Sequence, residues 1–477
     1  MAWSIEDAGC ASTPSARRTA ALWLLLFGVY AATVGLDAFG DSDYGGDEPH
    51  YLLAARSIVE DGNVDVNDEY AARAYDDFYP YELDKHGEET QGQLNEPHGL
   101  GFPLLIAPAY ALGGAKGVEL FLAAIAALAV ALAYRLALRV VPDPWAISAA
   151  LATGLSPPFV AYGTAVYPEL SAGAALAGAA LLALRLDNRP SRRDAFGCFA
   201  LLGMLPWLGT KFVPAGLVIG YVGARALWRV RRRTLAIGSV EAAFFSVALY
   251  VGINEALYGG PTPYAADIGE ETATDASFPG GYLERAYRLV ALLIDREYGL
   301  LRWAPLFLLA FVGLWLFWRS RRDRLARAVP AIREIELTAG LCAAALGVQL
   351  LVAAFLAPTM FGFWFPARHL LAGLPLAVPL VAWGLRFAPR LGVALAVLTL
   401  AGSVWLYVDV RAGGELVTDR PDAPFGPLVE IFPLFEPGGG WAYWLAAAIA
   451  AAIALLVLRE ARHSRQIAGA TRAKYSG

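Results

Sequence analysis

Two adjacent carboxylates, Asp47 and Glu48, follow the first long apolar run and precede Pro49, His50 and Tyr51. A carboxylate within hydrogen-bond reach of a hydroxyl can act as a general base. Neighbouring side chains on a helix diverge by about 100 degrees, so Asp47 and Glu48 cannot both aim at one atom. One can accept a proton while the other fixes local geometry. The plainer alternative is that Asp47 caps a helix that has Pro49 in its first turn. Glu169, within Tyr167-Pro168-Glu169, is a further candidate acid. Lys211 and Arg368 are isolated cations beside apolar segment ends, where a charge is costly unless it is paired or functional. Their plainer alternatives are snorkelling or an ion pair with a carboxylate such as Glu169.

Only five histidines occur, and His50, His86, His98 and His369 fall on one predicted side of the chain's apolar segments. With the carboxylates they could hold a divalent cation, but no tight ligand spacing marks one, and Glu48-Pro49-His50 is not a metal motif. No metal or other cofactor is therefore expected. His86, in the polar stretch Asp84 to Gln91, is expected to be solvated. Cys10, Cys198 and Cys342 have no motif spacing, which argues against a disulfide framework or a cysteine zinc site.

The elements that must position these residues follow from composition. Of 477 residues 57% are hydrophobic and 17% charged, and the mean hydropathy is +0.48. Soluble domains carry about 25% charged residues, so this is an all-α polytopic membrane protein. Twelve apolar runs are expected to span: 19–39, 117–138, 145–163, 169–186, 195–209, 211–228, 235–257, 303–318, 336–357, 370–387, 391–408 and 441–458. An even count puts both termini on one side, which the positive-inside rule makes the cytoplasm. The predicted inner segments then hold 26 of the 38 Lys and Arg, and the outer loops 40–98, 254–302 and 409–440 hold 30 of the 43 Asp and Glu. The chain is read as one membrane domain over 1–477, in the cytoplasmic membrane. Basic runs such as Arg231-Arg232-Arg233 are topology signals at anionic headgroups, not a nucleic-acid site.

The first outer loop, 59 residues from Gly40 to His98, is too long for a connector and should be structured. Within the region 40–116, Pro49 to Val59 predicts a helix stopped by Asp61-Gly62-Asn63, and Gly101 to Leu112 an interfacial or re-entrant helix.

Several stretches, in order, resemble the GT-C glycosyltransferases, nearest the protein O-mannosyltransferase and lipid A aminoarabinose transferase branch. They are Asp47-Glu48 just beyond the first span, Asn95-Glu-Pro97-His98-Gly-Leu-Gly-Phe-Pro103, Tyr167-Pro168-Glu169 and Gly209-Thr210-Lys211. Asn254 to Tyr264 with Gly259-Gly260-Pro261, Tyr298-Gly299-Leu300-Leu301 to Pro305, and Phe365-Pro-Ala-Arg368-His369-Leu-Leu to Pro375 complete the series. His369 departs from the pattern, standing where a Tyr is usual.

The resemblance implies a GT-C-type bundle of about twelve transmembrane helices with juxtamembrane helices in its first outer loop. It implies inverting transfer of one sugar from a polyprenyl-phosphate donor to a protein, lipid or glycan acceptor at the outer face. Asp47 is then the candidate base, with Glu48 or Glu169 second. Arg368, which can grip phosphate through two parallel hydrogen bonds, and Lys211, a compact point charge, would hold the donor and stabilise the leaving phosphate. His50, Tyr51, His98, Glu169, Tyr264 and His369 complete the candidate substrate-binding set. Trp364, Tyr264 and Tyr282 are the aromatics to consider for sugar stacking; the other tryptophans suit membrane-interface belts. A twelve-span transporter or lipid-linked glycan flippase, or an oligosaccharide ligase, are the alternatives. A carrier would show paired halves and ionisable residues at mid-span, whereas here polar character gathers at the outer ends and only the first half holds a 59-residue loop.

Overall fold

The computed structural model describes residues 16–87, 89–90, 92–266, 282, 285–320, 329–357, 359–360, 362, 364–416, 429–435 and 440–475, with side chains to 462. Residues 267–281 and 417–428 of the other two outer loops, and the basic run 321–328, lie outside the described residues.

Helices lie on all twelve apolar runs. In chain order the helices and strands are α1 Ala16–Ala31, α2 Glu48–Glu60, α3 Asn67–Ala71, the hairpin β1 Glu89–Thr90 and β2 Gln93–Leu94, α4 Gly101–Ala137, α5 Trp145–Gly154, α6 Pro157–Tyr162, α7 Glu169–Asn188 and α8 Arg192–Leu208. They continue with α9 Val213–Arg229, α10 Arg233–Tyr258, α11 Arg288–Ile294, α12 Leu300–Trp303, α13 Leu308–Ser320, α14 Pro330–Phe355, α15 Arg368–Leu371, α16 Leu374–Phe387, α17 Pro389–Arg411 and α18 Trp441–Tyr475. Among the described residues six helices are long and apolar enough to cross a membrane: α4, α7, α10, α14, α17 and α18. The protein is an integral membrane protein. Phe244 and Phe245 on α10 and Leu455 on α18 are about two-thirds or more exposed, as side chains facing lipid would be.

Small residues let α7 sit at the centre. Its sequence is mostly Ala, Gly and Leu, and it is buried on all sides between α4, α8 and α9. At 1.5 Å per residue it runs about 30 Å, close to the thickness of a bilayer's hydrocarbon core. Its two ends carry the charge: Glu169 opens it, and at the far end Asp187 pairs with Arg229 at 2.5 Å and Arg333 at 2.7 Å. The equally buried α16 packs against α13, α5 and α4.

The expected interfacial helix and the second span form one element, α4, broken at Gly113 and Gly114. Gly114 holds φ +59 and ψ −152, a conformation open essentially to glycine alone. The expected helix of the first outer loop is α2, which ends at Glu60 with Asp61 as its C-cap and Gly62 in the left-handed region. It packs on α4 and, through Leu53, joins a small separate core with Val66, Tyr70, Tyr75, Leu83 and Leu94. The tight pair of spans 195–209 and 211–228 is α8 and α9, turned through Gly209 and a 3-10 segment Thr210–Phe212 that carries Lys211.

Candidate functional site

At the Glu169 end of α7, three distant segments meet. Asp47 immediately precedes α2, yet its backbone is already helical (φ −78, ψ −6) and its carboxylate caps nothing. The capping alternative is therefore corrected: Asp47 Oδ2 accepts a hydrogen bond from an Arg368 terminal nitrogen at 2.7 Å. Arg368 donates from Nε to Glu169 Oε1 at 3.0 Å and from its other terminal nitrogen to the Gly362 carbonyl at 2.6 Å. Its guanidinium lies 3.9 Å from the centre of the Tyr167 ring, a cation–π contact. Lys211 Nζ reaches the same Glu169 oxygen at 2.7 Å. Two acids and two cations thus form one network, and Glu169 Oε2 is buried with no hydrogen-bond partner among the described residues.

Local backbone aims these groups. Ala367, just before Arg368, adopts φ +71, a strained region for a non-glycine residue, and turns the chain into α15. A Cβ on Gly362 would come within 3.0 Å of the Arg368 Cβ, so glycine leaves room for the arginine's stem. The Tyr167 hydroxyl accepts from the Asp47 backbone N–H and donates to the Gly45 carbonyl, both at 3.1 Å, tying the turn before α2 to the start of α7.

Glu48 points elsewhere, as the helical divergence requires. Its Oε1 accepts from the Val166 N–H at 2.7 Å, and its Oε2 from the Gly45 N–H at 2.9 Å and the Trp364 indole N–H at 3.0 Å. It is 1% exposed. Burial pushes its carboxyl up to about 8, against the pull of those three donors. Burial would raise Asp47 too, but the Arg368 guanidinium, with help from His98, holds Asp47 well below the usual carboxylate range. Asp47 is thus the ionised acid, and it keeps some solvent access, its side chain being 23% exposed.

The other candidates divide. Tyr51 packs against Phe102, His98 and Tyr167 and lines the wall beside the network. Tyr264 is exposed in the turn Pro263–Ala266. His369 lies beside Arg368 with its Nε2 buried and without a hydrogen-bond partner among the described residues. Trp364 offers no face for stacking: it is buried against Tyr162 and Tyr167 and bonded to Glu48. His50 turns away into a second cluster with His86, Glu96 and His98, whose ligand atoms all lie within 4.8 Å of one another. His86, expected to be solvated, is half-buried there. Burial pushes His98 down to about 4. Sequence reading left out Tyr162, Tyr167 and Gly362; Tyr167 stood in view, next but one to Glu169.

No protein-family profile matches the sequence, and no curated protein matches it. Three solved structures overlay it at low identity. ArnT from Cupriavidus metallidurans in the apo state shares 14% identity over 92% of this chain and 72% of that one, with a TM-score of 0.47. The apo Archaeoglobus fulgidus oligosaccharyltransferase shares 12% over 91% of this chain, TM-score 0.45. AglB of the same organism, with an inhibitory peptide and a dolichol-phosphate, shares 13% over 90%, TM-score 0.45. This chain covers 64% and 63% of those last two.

Proposed function

We propose that this chain is a membrane-embedded GT-C glycosyltransferase, moving a single sugar from a polyprenyl-phosphate donor to an acceptor at the extracytoplasmic face. The observation that carries the reading is the 2.7 Å contact between Asp47 and Arg368, which brings an ionised acid and a phosphate-gripping cation together at one end of the bundle.

Asp47 is the base for the acceptor hydroxyl: Arg368 keeps it ionised in the donor-free protein, and a phosphate that draws Arg368 away raises its proton affinity when it must accept. Arg368 and Lys211 stabilise the charge that grows on the departing phosphate, an interaction stronger in the transition state than in the ground state. Without donor the two cations are balanced by Asp47 and Glu169, so a bound phosphate shares Arg368 with them and frees Asp47 to face the acceptor. One base and one leaving-group stabiliser suffice for direct displacement, which inverts the anomeric carbon. Glu48 is assigned a positioning role, because both its oxygens are occupied by N–H donors. An apolar cavity of about 110 Å³, lined by Leu300, Phe307, Leu346, Leu370 and Leu374, opens next to the turn that carries Arg368 and suits the start of a polyprenyl tail. The loops bearing the site face away from the Arg-rich end, which the positive-inside rule places in the cytoplasm.

The test is purified protein in liposomes with a polyprenyl-phosphate sugar and candidate acceptors. Release of polyprenyl phosphate coupled to acceptor glycosylation is expected. Solute movement across the vesicles without donor consumption would instead make the chain a carrier.

A further inference from the structure

The first outer loop gathers three imidazoles and a carboxylate in a cluster of their own beside the network at Arg368. His50 comes from α2, His86 from the loop before β1, and Glu96 and His98 from the segment leading into α4. His86 Nδ1 and His98 Nε2 are 3.2 Å apart, and His50 Nδ1 and Glu96 Oε1 are 3.4 Å apart. The rings of His50 and His86 stack at 4.0 Å between centroids. A tetrahedral zinc ion with bonds of about 2.0–2.1 Å sets its ligands about 3.3 Å apart. The His86–His98 separation already matches that spacing, and with His50 Nδ1 turned to Tyr70 its Nε2 is the atom left to bind; one ligand atom from each of the four residues lies within 4.8 Å of the others.

Three further observations point to an ion. Glu96 is 5% exposed, and its Oε2 is buried without a hydrogen-bond partner among the described residues. The Tyr70 hydroxyl bonds Glu96 Oε1 at 2.5 Å and His50 Nδ1 at 3.0 Å, the kind of outer contact that orients metal ligands. A cavity of about 10 Å³, room for one small ion or water, lies against the cluster, with His50, Glu96 and His98, but not His86, in its wall beside Tyr51 and Tyr258.

We propose that His50, His86, Glu96 and His98 bind one zinc ion that staples the first outer loop to α2. Nitrogen and carboxylate donors of this kind suit Zn²⁺ better than Mg²⁺ or Ca²⁺, which take oxygen ligands. Four protein ligands leave no open position, so the site is structural. His50 lies one helical turn beyond Asp47, and the ion would therefore fix the helix end that presents that acid.

The test uses the full chain, purified in detergent, loaded with ZnCl₂ and dialysed without chelator. Plasma mass spectrometry should find about one zinc per chain. Cobalt(II) in its place should give the intense visible bands of a tetrahedral site. The near-isosteric Glu96→Gln should bind zinc at least tenfold more weakly, and His86→Ala with His98→Ala should lose it. Zinc should raise Tm in the wild type and not in that double variant, since a ligand of the folded state alone stabilises it. Should wild-type protein of native Tm retain no zinc, or should the variants keep it at wild-type affinity, the site is overturned. A weak octahedral cobalt spectrum would equally reject it, as adventitious ions only. Metal content is read without any sugar transfer, so this site stands or falls apart from the proposed reaction.

Discussion

Two polar clusters flank the N-terminal end of α2, and they are built in opposite ways. The Arg368 network joins residues 321 positions apart and depends on α7, the α8–α9 turn and α15 arriving together. The histidine cluster draws only on residues 50 to 98 and is organised by one loop with its own small core. The first is charged and balanced; the second is made of metal-type donors, two of them buried and two half-buried. A cluster held by the whole bundle can carry a reaction whose partners come from lipid and from water, while a cluster held by a single loop can serve that loop's shape.

This contrast can be broken most forcibly at Asp47. Asp47→Asn keeps the size and one acceptor oxygen for Arg368 but removes the base, so transfer per folded molecule should fall by about 10²–10⁴-fold, while Tm drops only as far as losing one of Arg368's two ion pairs requires. His86→Ala should cost transfer far less. Equal losses in the two variants, measured as initial rates in liposomes, would erase the distinction between the clusters.

The same chemical change one residue on should do something different. Both Glu48 oxygens accept from N–H donors, so the amide nitrogen of Glu48→Gln must face a donor. A cost of about 1–3 kcal/mol in folding stability is expected, read as a lowered Tm, with transfer per folded molecule much less affected than in Asp47→Asn. Loss of catalysis in Glu48→Gln at full stability would move the base to Glu48.

The smallest effect is in pH dependence. Asp47 has a folded-state proton affinity below that of the unfolded chain, so its contribution to stability is fully present above the usual carboxylate value of about 3.9. It is lost as pH falls below that value. The acid limb of kcat/KM, which reports the donor-free protein, should likewise lie below about pH 4. An acid limb near pH 6 would mean that Arg368 does not control Asp47.

The sequence revealed the helices and the network more readily than the loop. Apolar runs are long and continuous, and a helix lies on each of the twelve. Lys211 and Arg368 stand out because cations are rare on that side, and the plainer alternative to donor binding, an ion pair with a carboxylate such as Glu169, is the contact both make. Capping by Asp47 was a fair inference from local chemistry, but a buried guanidinium attracts a carboxylate more strongly than helix N–H groups do, and tertiary structure prevailed. The histidine convergence left no trace in spacing, because the loop between His50 and His98 folds through a 3-10 turn and a two-residue-strand hairpin with no periodicity to read. Trp364 looked like a sugar platform from its position alone; its indole N–H is taken by Glu48.

The central claim is that Asp47 and Arg368 act as one unit on the donor. A double-mutant cycle on transfer rate with Asp47→Asn, Arg368→Lys and the pair tests it most directly, since lysine keeps the charge but loses the planar fork. The account predicts that each single change is severe and that the double variant is hardly slower than Asp47→Asn alone. Losses that multiply in full would show two independent residues and contradict it.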